Sequence, residues 1–501
     1  MTAIVGILNK RAAVMAADSA VTVNSASGTK IYNTATKIFR LSKAHPVGVM
    51  IFDSASFMGT PWDVIFKLYR DRKGDQSFNT LEEYARNFLH FLEAEDYFSS
   101  SKSQEKYLMK EVSDYYHKVK DYAIHAFEEK LDDDELTDDE AEELIRKLLE
   151  ERIDMITEAA NDRGVSPEFE QYTLAHLRSF GKDALDALAE LCEEDGFPAD
   201  LRDAWEEGFY AYIRSTLYFS GTGIVFAGYG SKDIYPSILT VYISGAFDRR
   251  MRYYFSEEDD SDKIDNDNSA TIIPYAQVDV MLTLMKGIHP GLRRYVESKH
   301  EESLQKAKEK MLEAMKEAGC TKKAIRQVAE TDLSDIQGNY EESMDQFIQD
   351  EFIDGIVDAV NSFNIEDMVN MAESLVSVTN LQRHISSSEE SVGGPIDVAV
   401  ITRSEGFMWV KHKHWMPQDA DTFPLEQEVW EASIHPPHPH LQKPILQRIG
   451  LGPAFLLIGQ DLAVQQGRNR ILHGAGRLQC VLLDKGDGGD SGRLSCFGDG
   501  H

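Results

Sequence analysis

Cysteine is scarce in this chain. The four present in 501 residues, Cys192, Cys320, Cys480 and Cys496, are too few and too scattered to frame a disulfide-stapled fold or a CxxC metal site. No apolar run approaches the 18 or so residues that a bilayer-spanning helix needs. The first residues also lack a charged stretch followed by an apolar one, so a cytoplasmic protein is expected rather than a secreted or membrane one. Positive charge is outnumbered, with 52 Lys and Arg against 85 Asp and Glu, a formal net charge of −33. A nucleic acid or an anionic membrane surface would be repelled beyond a Debye length of about 8 Å, so neither is an expected partner. The acidic stretch from Glu128 to Glu151 reads as a solvated helix face, because the spaced glycine of a calcium loop is missing.

With 42% apolar residues the chain can build a sizeable core in more than one part. It opens on Thr2, followed at once by an apolar strand pattern, Ala3-Ile4-Val5-Gly6-Ile7-Leu8. Small second residues permit removal of the initiator Met, which would leave Thr2 with a free α-amine. A threonine hydroxyl needs a base within hydrogen-bond reach to act as a nucleophile. The α-amine, with an ordinary pKa of roughly 7.7 to 8.0, is one such base on the same residue.

A second strand pattern, Ala12 to Ala17, runs into Asp18-Ser19-Ala20-Val21-Thr22. The spacing predicts a hairpin turning at Asn9-Lys10-Arg11 that brings Thr2 and Asp18 to neighbouring strand ends. Lys37, in Thr36-Lys37-Ile38-Phe39-Arg40-Leu41, alternates with apolar neighbours and is expected to point inward, where a lysine needs a carboxylate partner. Asp18 is the candidate, and a lysine held beside Thr2 would lower the hydroxyl's pKa.

These residues resemble, in order along the chain, the proteasome β-subunit and HslV peptidases of the N-terminal nucleophile hydrolases. Thr2-Ala3-Ile4-Val5 is similar to the family's mature start, Ala16-Ala17-Asp18-Ser19 with Thr22 to its A-[AG]-D-S/G-x-x-T segment, and Lys37-Ile38-Phe39 to its lysine strand. Further on, Ile272 to Gln277 is similar to a G-S-G-x-P-Y-A-Q turn, with Thr271 at its serine. The run from Glu389 to Val400 is similar to a D-x-x-S-G-G-x-[VI]-[DN] segment, with Glu389 at its Asp and Val392 at its Ser, and Ser391 as a compensating hydroxyl.

The resemblance implies a threonine-type peptidase with Thr2 as nucleophile, Lys37 and Asp18 as its charge partners, and Thr271, Glu389 and Ser391 completing the site. The backbone N–H of Phe52, where the family has glycine, is implied as the oxyanion donor. Val21 and Thr22 would pair with a substrate strand, and Val21 and Met50 would line an apolar pocket. A peptide or protein substrate and a homo-oligomer, ring or dimer, follow by the same resemblance, which leaves an ATP-driven unfoldase open as a partner. No cofactor and no metal is expected. The rival expectation is a catalytically inactive scaffold that binds partners through helical insertions, prompted by Phe52, Glu389 and Val392 at sensitive positions.

The implied fold is α+β, a four-layer αββα sandwich of two antiparallel sheets interrupted by two helical insertions. Alternating strand and helix periodicities divide the chain into core parts at 2–75, 221–290 and 355–416, and helical insertions at 76–220 and 291–354. From 417 to 501 periodicity fades and Gly, Gln, His and Pro rise, which marks an accessory or disordered segment. Its His435-Pro-Pro-His438-Pro-His440 run lacks the partners that would complete a metal site.

Overall fold

Ile4 to Asn9 is apolar on both faces and forms β1 (Ile4–Asn9), every residue of it buried. Such continuous hydrophobicity is what a strand covered on both sides requires. The computed structural model describes residues 2–413 apart from 26–27, 95–99, 132–136, 257–259 and 386–392, all within a first unit, Met1–Glu426. The 417–501 segment, with its histidine run, lies outside the described residues.

The predicted hairpin joins β1 to β2 (Ala13–Ala17), with Ile4 opposite Ala17 and Leu8 opposite Ala13. Asn9 closes the turn: its Oδ1 accepts from the Arg11 N–H at 2.9 Å, and its Nδ2 donates to Val360 O at 2.9 Å. There follow β3 (Val21–Ser25), β4 (Gly28–Tyr32), β5 (Ile38–Arg40), β6 (Val47–Asp53), β7 (Ser56–Phe57) and β8 (Thr60–Pro61), then α1 (Trp62–Lys73) and α2 (Leu81–Ala94). A helical block comprises α3 (Ser101–Leu131), α4 (Asp138–Arg163), α5 (Leu174–Phe180), α6 (Lys182–Glu194) and α7 (Arg202–Arg214). The acidic stretch read as one helix is divided there, and a Thr137–Glu140 capping box starts α4.

Strands return as β9 (Thr222–Gly228), β10 (Ser237–Phe247), β11 (Arg250–Phe255), β12 (Asp262–Lys263) and β13 (Ala270–Tyr275). The remaining elements are α8 (Val278–Lys286), α9 (Pro290–Glu317), α10 (Lys322–Ala329), α11 (Ser334–Ile348), α12 (Asp354–Ser362), α13 (Ile365–Ile385), β14 (Asp397–Thr402) and β15 (Gly406–Lys411).

The protein is α+β with antiparallel sheets. One has the order β13-β1-β2-β14-β15, and another runs β11-β10-β9-β6-β5 with β12 on β10. Ile4, Leu8, Met15, Met50, Val225, Ile238, Tyr275 and Phe407 pack between these two sheets. Their approach is close at Gly6, where an added Cβ would stand 2.5 Å from Ile238 Cδ1. On the opposite side of β1, Val5 and Ile7 pack with Met281, Val360, Met368, Ala372 and Val376 from α8, α12 and α13. The other sheet is backed by α1 and α2, through Trp62, Phe66, Tyr69 and Phe88.

The helix α2 therefore belongs to the sheet's own core, whereas the sequence assigned it to the 76–220 insertion. The block from α3 to α7 has a separate core around Tyr115, Trp205, Phe209 and Tyr212. By contrast α9 and α10 bury none of their residues. No helix among the described residues is long and apolar enough to cross a membrane.

Candidate active site

The hairpin delivers Thr2 and Asp18 to one end of the first sheet, and Lys37, just ahead of β5, reaches across from the second. Lys37 Nζ donates to Thr2 Oγ1 at 3.0 Å and to Asp18 Oδ1 at 2.6 Å. All three are buried, with relative exposures of 6% for Thr2, 1% for Asp18 and 3% for Lys37. Burial lowers the Lys37 pKa, and the Asp18 charge opposes that shift.

Asp18 is held by backbone donors on both oxygens. Oδ1 accepts from Ala3 N at 3.0 Å, and Oδ2 accepts from Ala20 N at 3.2 Å and from Gly393 N at 3.1 Å. These three backbone donors fix the orientation of the carboxylate and leave Oδ1 aimed at the Lys37 ammonium. Sequence reasoning did not foresee the backbone donors, because any residue type supplies them.

Thr271 is not part of this cluster. In the β1–β13 register Thr271 lies opposite Leu8, whereas Ile4 lies opposite Tyr275. Six residues at about 3.3 Å each put Thr271 about 20 Å along the sheet from Thr2. The end of β13 nearest Thr2 continues instead into Ala276 and Gln277, whose φ angles of 46° and 44° are unusual for residues other than glycine. Such strain clusters at functional sites, and no sequence signal announced it.

The expected oxyanion donor also changes. Along a strand, paired N–H groups alternate between its two edges. Ile51 N donates to Lys37 O at 2.8 Å on the β5 side, so the Phe52 N–H turns to the β9 side, opposite Gly223. Asp53 is then the next residue whose N–H faces the Lys37 side, past the start of β5 at Ile38. Its φ of 66° turns the chain sharply there. The Asp53 side chain is exposed at the surface, yet surrounding protein raises its pKa, against the positive charge of the amino terminus.

Met50 is fully buried in the inter-sheet core and does not line an open pocket. An apolar residue reads alike in a sequence whether it faces a cleft or an opposing sheet. Val21 is half-buried at the start of β3, opposite Tyr32, and the Thr22 backbone is opposite Ile31. Among the described residues β3 pairs with β4 alone, which leaves one edge for an added strand. Glu389 and Ser391 lie outside the described residues; Gly393, beside them in sequence, reaches Asp18.

Among the described residues no cluster of three or more His, Cys, Asp or Glu is arranged to hold a metal. A cavity of about 450 Å³ lies away from Thr2, between α3 and the segment after α7, lined by residues including His117, Tyr212 and Phe219. No protein-family profile matches the chain, and no curated protein matches it in sequence.

Proposed function

We propose that the protein is an N-terminal threonine hydrolase that cleaves amide bonds of peptides, built on a four-layer αββα sandwich. The observation that carries the proposal is the Lys37 ammonium between Thr2 Oγ1 and Asp18 Oδ1, at 3.0 and 2.6 Å. Two facing sheets with helices behind each support the fold reading.

After loss of Met1, the Thr2 α-amine takes the hydroxyl proton as Oγ1 attacks the substrate carbonyl carbon. Lys37 donates to the developing alkoxide, and a burial-lowered pKa makes its ammonium the stronger donor. Asp18 orients that ammonium. The Asp53 N–H receives the oxyanion, and collapse of the tetrahedral adduct expels the amine, which takes the proton from the Thr2 ammonium. Water, deprotonated by the same α-amine, then hydrolyses the ester and frees Thr2. A substrate strand would add to the open edge of β3 at Val21 and Thr22. An oligomer is a further proposal, carried by resemblance alone.

The test is intact-mass spectrometry after exposure to a β-lactone or epoxyketone probe, beside Thr2→Ala. A mass lacking Met1 and gaining one adduct, absent in Thr2→Ala, is the expected result. The burial of Met50 and Phe52 favours a second reading, an inactive scaffold, since they fill the space where a pocket would open. A processed chain that never labels would establish that alternative.

A further inference from the structure

We propose that Lys413, paired with Asp397, is a positioning residue of this site that fixes the Asp18–Ser19 corner on which Lys37 is held. The inference rests on the hydrolase reading above. Lys413 lies just past β15 with its side chain 9% exposed. Its Nζ donates to Asp397 Oδ2 at 2.7 Å, to Ser19 Oγ at 2.6 Å and to Ala35 O at 2.5 Å. One ammonium thus ties the chain after β2, the approach to Lys37 and the start of β14.

The connection to the reacting groups is short. Ser19 Oγ donates to Pro395 O at 2.6 Å, and Ser19 N donates to Gly393 O at 3.2 Å. Gly393 N in turn donates to the Asp18 oxygen that Lys37 does not use. On the other side, Ala35 N donates to Ser19 O at 3.1 Å, two residues before Lys37. Freeing the Lys413 ammonium loosens both supports of the Asp18–Lys37 pair.

Lys413 also acts through its charge. Among the described residues, the charged groups facing Lys37 are Asp18 after β2, Asp397 on β14, Lys413 after β15 and, once Met1 is removed, the Thr2 amine. His412, stacked on Trp409 at 4.0 Å, sits 3.3 Å from Asp397 Oδ1. Lys413 lowers the proton affinity of Lys37 and Asp397 raises it, the lysine being the stronger influence. Removal of Lys413 therefore lets Lys37 keep its proton to higher pH.

The experiment measures the rate of Thr2 labelling by a β-lactone probe on the full-length processed protein from pH 6 to 10, by intact mass. Lys413→Met is expected to label about 10- to 100-fold more slowly, as misplacement of a supporting group does. Its alkaline limb should move to higher pH than in the wild type, and Lys413→Arg should restore both rate and limb. If the single variant fails to fold, Lys413→Met with Asp397→Asn removes both charges and leaves no lone buried ion; a smaller upward shift is expected. A folded variant with an unmoved limb would overturn the positioning role, even if slower, because a merely structural contact does not retune Lys37. A wild type that never labels overturns the hydrolase reading itself and this inference with it.

Discussion

The Phe52 ring lies across Gly223 on the neighbouring strand, so closely that a Cβ at position 223 would stand 2.0 Å from Phe52 Cζ. The ring meets Tyr242 edge-on at 5.7 Å and Tyr275 at 5.6 Å, at the end of the inter-sheet core nearest Thr2. Gly223→Val is expected to cost about 1–3 kcal/mol by overpacking. Phe52→Ala should cost about 3–5 kcal/mol. The pair combined should be less destabilised than the sum, because the valine then fills the vacated space. A urea-denaturation double-mutant cycle decides this, and strict additivity would refute the contact. Phe52→Ala should also label faster with bulky probes.

Asp18→Asn leaves Lys37 buried without the anion it hydrogen-bonds. Losing one partner of a buried pair costs about 3–5 kcal/mol, and labelling of Thr2 should fall at least 100-fold, within the range for loss of a proton-handling group. Asp18→Leu with Lys37→Met should recover much of the stability and none of the labelling. Denaturant midpoints and adduct yields on the same samples separate the two effects. Recovered labelling in the double variant would remove Lys37 from the mechanism.

The helical block is anchored to the sheet through Arg252 on β11. Its side chain and that of Glu111 on α3 are both fully buried, 3.0 Å apart, and Arg252 also donates to Ser215 O at 2.8 Å and Tyr218 O at 2.6 Å. Glu111→Gln should destabilise by about 3–5 kcal/mol. Hydrogen exchange should rise first in α3 to α7 while β1 and β2 stay protected. Uniform acceleration across the chain would mean the block has no separate stability.

Lys73 gives a pH signature. Burial lowers its pKa to about 8, beside the rings of Tyr84 and Phe78, while Asp75 partly offsets the shift. Between about pH 8 and the ordinary lysine value of about 10.4, the unfolded chain binds the proton that the folded chain has released. Stability from this group is therefore complete above about 10.4 and is lost as pH falls through 8. Lys73→Met should flatten that slope in urea midpoints measured from pH 7.5 to 10; an unchanged slope would assign it to other groups.

The β1–β2 hairpin and the Thr2, Asp18 and Lys37 cluster were legible because each is set by local strand spacing, and a lone lysine among apolar neighbours demands an anion. Phe52 was misassigned because the direction of its N–H depends on which edges of β6 meet β5 and β9, a tertiary property. Thr271 was misplaced because a motif fixes residue order but not the antiparallel register that carries its far end from Thr2. Lys413 and Asp397 passed unnoticed: a lysine just past a strand looks like a surface residue, although Asp397 interrupting the apolar run Ile396 to Ile401 was a usable signal.

The Gly393 N–H that completes the shell of Asp18 comes 375 positions later in the chain. At a ribosomal pace of about 5–20 residues per second, roughly 20–75 s separate the birth of the carboxylate from the arrival of its last donor. On the proposed mechanism, a nascent chain therefore carries Thr2 without this support for most of its synthesis. Stalled chains ending before Gly393 should be poor acylation targets, so that the order of synthesis itself delays the site's completion.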